Sequence, residues 1–255
     1  MKDIVDAVAN DAQADPMKVA ERPNAGPKRF YEKATVEEDD GAWKLLLDGR
    51  PVRTPGRQKV AVASKAVAEA MAEEWNAQGT HVAPLTMPVT RIVNSAVDGV
   101  AQRMDEVRDD VREFAGSDLL CYRAEGPDGL IQRQREHWDP VLESYAERLG
   151  ARFVLTEGVM PVAQSDEALA VIGAELADIA DPSKLAATHV ATTITGSALL
   201  VLAVARGSLD AEAAWRAAHV DEDWNRELWG EDEEATERRR QRRRDYEAAV
   251  LIILS

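Results

Sequence analysis

The sequence holds a single cysteine, Cys121, among 255 residues. That excludes an internal disulfide and fits a reducing compartment. A lone thiol can serve as a nucleophile, but no histidine lies close to it in sequence, so a buried structural cysteine is expected. The four histidines, His81, His137, His189 and His219, are far apart and share no metal-ligand spacing. His137, beside Trp138, reads as a hydrogen-bonded structural residue rather than a ligand or base. No P-loop, glycine-rich dinucleotide turn, HExxH or GxSxG is present. The acidic pairs read as solvated surface, and neither cofactor nor metal is expected. Positive charge is also scarce: 31 Lys and Arg stand against 46 Asp and Glu, a net charge of −15. A nucleic-acid partner needs the opposite balance. A strongly acidic surface keeps a protein soluble and steers basic partners toward it.

Long apolar runs are missing as well. Val190 to Ala205 is the longest, but it contains four hydroxyl residues and Gly196. It falls short of the ~18 clean apolar residues of a membrane span and reads as a buried helix. The C-terminal "AAVLIIL" is shorter and should dock on the core. The N-terminal "MKDIVDAVANDAQADP" carries acids where a secretory signal needs a basic start and a mitochondrial presequence avoids acids.

What the chain does have is globular composition, with 45% apolar and 30% charged residues. Residues 1–27, with Pro16, Pro23, Gly26 and Pro27, read as a loose arm. From 28 to about 63, short alternating segments suggest a small, mostly antiparallel sheet. Asp48-Gly49 suits a tight hairpin turn and "TPGRQ" from Thr54 a second one. Ser64 is a plausible N-cap for a helix carrying Val67, Met71 and Trp75 every fourth residue, with Trp75 anchoring it to the sheet. Residues 28–80 thus form a β-rich unit ending in a helix, and 81–255 a helical unit. In the latter, Pro88 opens a short helix and Gln102 to Phe114 form another. Pro127 opens a longer helix with Gln134, Trp138, Val141 and Tyr145 on one face and Pro140 bending it. "RFVLTEG" suggests a strand. Helices are then expected at Asp166–Ala180, Ser183–Arg206, Leu209–Trp229 and from about Glu233. The fold class is α+β.

Several stretches together carry a resemblance: "KRFYEKATV" from Lys28, "LLLDGRPVRTPG" from Leu45, "AEEWNAQG" from Ala72 and "LTMPVTRIVNSAVD" from Leu85. "DLLCYR" from Asp118, "QRQREHWDPVLESY" from Gln132 and "WNRELWGEDEE" from Trp224 extend it. In number and order they resemble the ATP synthase assembly factor 2 family, the chaperone attending the α subunit of F-type ATP synthase. The resemblance implies a non-enzymatic protein that holds the α subunit until the β subunit replaces it. It also implies a β-rich N-terminal part and a helical C-terminal part. Eukaryotic members work in the mitochondrial matrix behind a presequence; the acidic N-terminus here points to a bacterial cytoplasm instead. A scaffold for another basic or apolar partner is the alternative, and an enzyme using unrecognised carboxylates a more distant one.

One stretch asks for an explanation of its own. "RAAHVDEDWNRELWGEDEEATERRRQRRR", from Arg216 to Arg244, sets tryptophans among acids and follows them with six arginines. The arginines, spaced three and four from Glu234 and Glu237, suggest a salt-bridged, solvent-facing helix rather than a nucleic-acid patch. If Ser208 to Trp229 is one helix, Ala213, Ala217, Val220, Trp224 and Leu228 fall within an arc of roughly 80° and form its core face. Trp215, Glu222 and Trp229, seven residues apart, then line the opposite side, drifting about 20° per step. An aromatic pair around a carboxylate has the composition of a partner-binding patch, ring area for affinity and charge for register. Burial of both faces between neighbouring helices would explain Trp215 equally well. The family resemblance adds weight to one acid here; Asp221, Glu222 and Asp223 all qualify, and helical phase favours Glu222. Trp75, Trp138 and Trp224 are expected to be structural.

Overall fold

A computed structural model describes residues 26–255 apart from 159 and 231, so the arm expected at 1–27 lies, but for its last two residues, outside the described residues. Among the described residues, a four-stranded antiparallel sheet comes first. Strand β1 (Ala34–Asp39) pairs with β2 (Ala42–Leu47) from Ala34↔Leu47 to Asp39↔Ala42. The far side of β2 takes β3 (Arg50–Pro51) and β4 (Ala61–Val62). Asp48 and Gly49 make the tight turn between β2 and β3 with φ of 47° and 76°, the left-handed region that Asp and Gly tolerate best. The Asp48 carboxylate accepts from the backbone N–H of Glu32 and of Lys33, which lowers its pKa and pins the start of β1.

Helix α1 (Lys65–Asn76) is capped by Ser64, whose hydroxyl accepts from the Val67 N–H. Its stripe buries Val67 and Met71 against the sheet, while Trp75 is only partly buried, edge-on to Tyr31 at 5.4 Å. Among the described residues nine further helices follow: α2 (Pro88–Asp98), α3 (Met104–Gly116), α4 (Asp128–Leu149), α5 (Asp166–Ala177), α6 (Pro182–Thr195), α7 (Ala198–Ala205), α8 (Ala211–Ala218), α9 (Val220–Trp229) and α10 (Glu233–Leu254). Helix α4 is one helix through Pro140 and ends at Gly150 with φ 69°. Of "RFVLTEG", only Thr156–Glu157 is strand (β6), pairing in parallel with β5 (Tyr122–Arg123).

The helix expected over Ser183–Arg206 is two helices. Gly196 turns left-handed at φ 68°, and the Ser197 hydroxyl then caps α7 by accepting from Leu200 N–H. A glycine and a capping serine together stop one helix and start the next. The buried Asp118 carboxylate reinforces that start by accepting from Leu199 N–H at 3.0 Å. Burial pushes its pKa up to about 6 despite the backbone donors.

Two apolar cores result. One joins the sheet and α1 to α2, α6 and α10 through Leu45, Met71, Val93, Ala187 and Ile252. It therefore holds residues from both sides of the boundary expected at residue 80. The other gathers Val111, Leu120, Trp138, Tyr145, Ile172 and Leu199. The C-terminal apolar run docks as expected, burying Ala248, Ala249, Ile252 and Ile253.

Candidate functional site

The acidic stretch folds into α8, α9 and the first half of α10. Asp210 caps α8 by accepting from the N–H groups of Glu212 and Ala213. The single helix expected up to Trp229 breaks at His219, whose φ of −119° and ψ of 18° leave the helical region. That break ends the common helical phase, so residues on its two sides no longer share faces as a continuous helix would have them.

Of the two readings open for Trp215, burial holds: it is only 5% exposed rather than lining a wet face. Its ring stacks on His219 with centroids 3.8 Å apart and meets Tyr246 of α10 at 5.2 Å. The guanidinium of Arg243 lies 5.0 Å from the indole centroid and that of Arg239 5.9 Å, within cation–π range. Helix α10 covers this face.

His219 is buried and fully bonded. Its Nδ1 lies 2.8 Å from the Trp215 carbonyl oxygen, which can only accept, so Nδ1 carries the proton. Its Nε2 then accepts from Arg242 at 3.1 Å. Burial holds the imidazole pKa below its ordinary value, opposed by the Trp215 carbonyl and assisted by Arg242 and Arg239.

The three acids meet partners within the chain. Asp221 accepts from Gln134 of α4 at 2.8 Å, and the same buried Gln134 amide accepts from Ala124 N–H. Glu222, 36% exposed, lies 3.5 Å from Arg239, 3.8 Å from Arg242 and 3.8 Å from His219. Asp223 reaches Arg239 at 2.7 Å and Arg226 at 3.0 Å.

Trp224 and Leu228 also depart from expectation, since both were assigned to a core face. Trp224 is half-buried: its ring lies against Gly129, where a side chain would collide with it, and Arg133 covers it at 4.9 Å. Arg133 also grips Glu227 with both ends of its guanidinium, at 2.7 and 2.6 Å. Leu228 is 57% exposed, and Trp229, at the end of α9, is 85% exposed. Trp138 is structural: fully buried, its indole N–H donates to the Ala217 carbonyl at 2.8 Å, next to the break at His219.

The arginine run has two sides. Arg238 pairs with Glu234 and Arg240 with Glu237 at 3.2 Å, as the spacing suggested, and Arg244 also reaches Glu237 at 3.3 Å. Arg239, Arg242 and Arg243 instead turn inward over Trp215 and His219. Their spacing of three and four was the available signal for one helix face, as was Gln134 on the apolar stripe of α4.

Cys121 is buried and its thiol is pushed up to about 12 by burial and by Asp118, far from a reactive thiolate. Among the described residues no His, Cys, Asp or Glu cluster is arranged to hold a metal ion, and no helix is long and apolar enough to cross a membrane. The outward chemistry of this stretch is an exposed indole and a leucine on an acidic helix.

The sequence pattern of the ATP12 chaperone protein family matches residues 28–146. The structure superposes on Atu1473, a candidate chaperone from Agrobacterium tumefaciens, with a TM-score of 0.85 and 45% identity, covering 97% of this chain and 94% of that one. It superposes on Atp12 from Paracoccus denitrificans with a TM-score of 0.79 and 38% identity, covering 89% and 98%. Protein atp12, mitochondrial, from Schizosaccharomyces pombe is 24% identical over 228 residues, 84% of this chain and 78% of that protein. The chain belongs to the ATP12 chaperone family, a family of chaperones rather than enzymes.

Proposed function

We propose that this protein is an assembly chaperone for the F-type ATP synthase, holding the unassembled α subunit and keeping it from aggregating until the catalytic head forms. A subunit waiting for its partner exposes a large apolar patch, and such patches associate indiscriminately. A chaperone must cover that patch with apolar area of its own and remain soluble while doing so. The observation that carries the reading is Trp229, 85% exposed beside the exposed Leu228 at the tip of α9. A single large ring left in water is the anchor that protein interfaces favour. The net charge of −15 keeps the complex soluble and speeds encounter with a basic client surface. The bacterial cytoplasm is the setting we assign to it.

Titration calorimetry of the full chain against isolated α subunit, and against the assembled catalytic head, tests the reading. Binding to free α alone is expected, together with suppressed light scattering when dilute α is warmed. Equal affinity for both forms, or none for free α, would reject it.

A further inference from the structure

The acids of α9 are already engaged inside the chain. Arg239 of α10 lies between Glu222 and Asp223, 3.5 Å from one and 2.7 Å from the other, with its side chain only 15% exposed. A client cation approaching Glu222 would have to displace Arg239 and Arg242 and would meet His219 as well. Helix α9 has ten residues, of which Val220 alone is fully buried. A helix that short is not stable by itself; besides Val220, its apolar packing is the half-buried Trp224 ring against Gly129 of α4. Polar ties add to that packing: Gln134 to Asp221, Arg133 to Glu227, and the carboxylate–guanidinium–carboxylate clamp at Arg239. The first two tie α9 to α4. Among the described residues, the clamp and the Arg242 contact tie it to α10, across the turn at Gly230.

We infer that Arg239 is a positioning residue for client binding: by clamping Glu222 and Asp223 it sets the direction in which α9 presents Trp229 and Leu228, and these acids meet Arg239 rather than the client. Its binding arm rests on the α-subunit reading above; its structural arm does not.

A double-mutant cycle on the full chain separates the two roles of Glu222. Affinity for isolated α subunit is measured by calorimetry, and amide hydrogen exchange is followed over residues 220–229. Glu222→Gln and Arg239→Gln should each weaken binding about five- to tenfold and speed exchange in α9. With Arg239 already replaced, adding Glu222→Gln should change affinity by less than about twofold, because coupled residues lose their shared effect once. The same loss from Glu222→Gln in both backgrounds, with α9 exchange unaltered, would show that the acid touches the client and would overturn the inference. So would an Arg239→Gln protein with unaltered affinity and exchange. If the parent chain fails to bind free α, the chaperone reading falls and the exchange arm decides the clamp alone. Faster α9 exchange in Arg239→Gln, with no further rise in the double variant, supports it, and unaltered exchange refutes it.

Discussion

Trp138→Phe offers a sharp test of how the second core controls the acidic helices. The indole is fully buried, and its N–H donates to the Ala217 carbonyl, two residues before the helix break at His219. Phenylalanine fits the apolar walls but cannot donate. The Ala217 oxygen would lose that partner in a dry site, a cost of about 1–3 kcal/mol. The missing part of the bicycle leaves a void of ~40 Å³, worth about 1 kcal/mol at the usual cavity cost. The sum is about 2–4 kcal/mol, a fall in melting temperature on the order of 10 °C for a protein this size. Urea unfolding followed by circular dichroism measures the loss, and exchange at residues 217–219 should accelerate before the global transition. A loss below about 0.5 kcal/mol, the range of unconstrained surface changes, would mean the hydrogen bond contributes nothing and the break at His219 is held otherwise.

Three further expectations follow from the geometry. Trp75→Ala should cost about 2–4 kcal/mol, less than a fully buried tryptophan because the ring is only partly covered, edge-on to Tyr31; a thermal melt within a degree of the parent would sink that estimate. Trp229→Ala should leave stability within about 0.5 kcal/mol, since the ring is almost wholly in solvent, while weakening calorimetric affinity for free α subunit; unchanged affinity would take the tip of α9 out of the interface. His219 is held neutral below its ordinary titration range, mainly by burial, so its contribution is complete above the unfolded value of about 6.5 and is lost as pH falls through the lower folded value. His219→Gln should therefore flatten the decline of the urea midpoint between neutral pH and pH 5, and an unaltered slope would assign the decline to other groups.

Much of the fold was legible because its signals are local. Asp48-Gly49, the Ser64 cap, Pro88 and the stripe from Gln134 to Tyr145 each state their conformation within a few residues, by steric limits on φ or by periodic burial. The turn at Gly196 was legible too, yet a continuous apolar run masked it, since apolarity does not distinguish one buried helix from two. The histidines scattered along the chain, the lone Cys121 and the acidic balance were likewise legible in the sequence by itself. Tertiary structure decided the fate of the acidic stretch. Periodicity places Trp215, Glu222 and Trp229 on one line only in a continuous helix. His219 broke that line by bonding to the Trp215 carbonyl and to Arg242, a residue 23 positions away. Which ring is buried and which stays in water then depended on where α10 packs, and a helix-to-helix arrangement leaves no trace in the spacing of either helix alone.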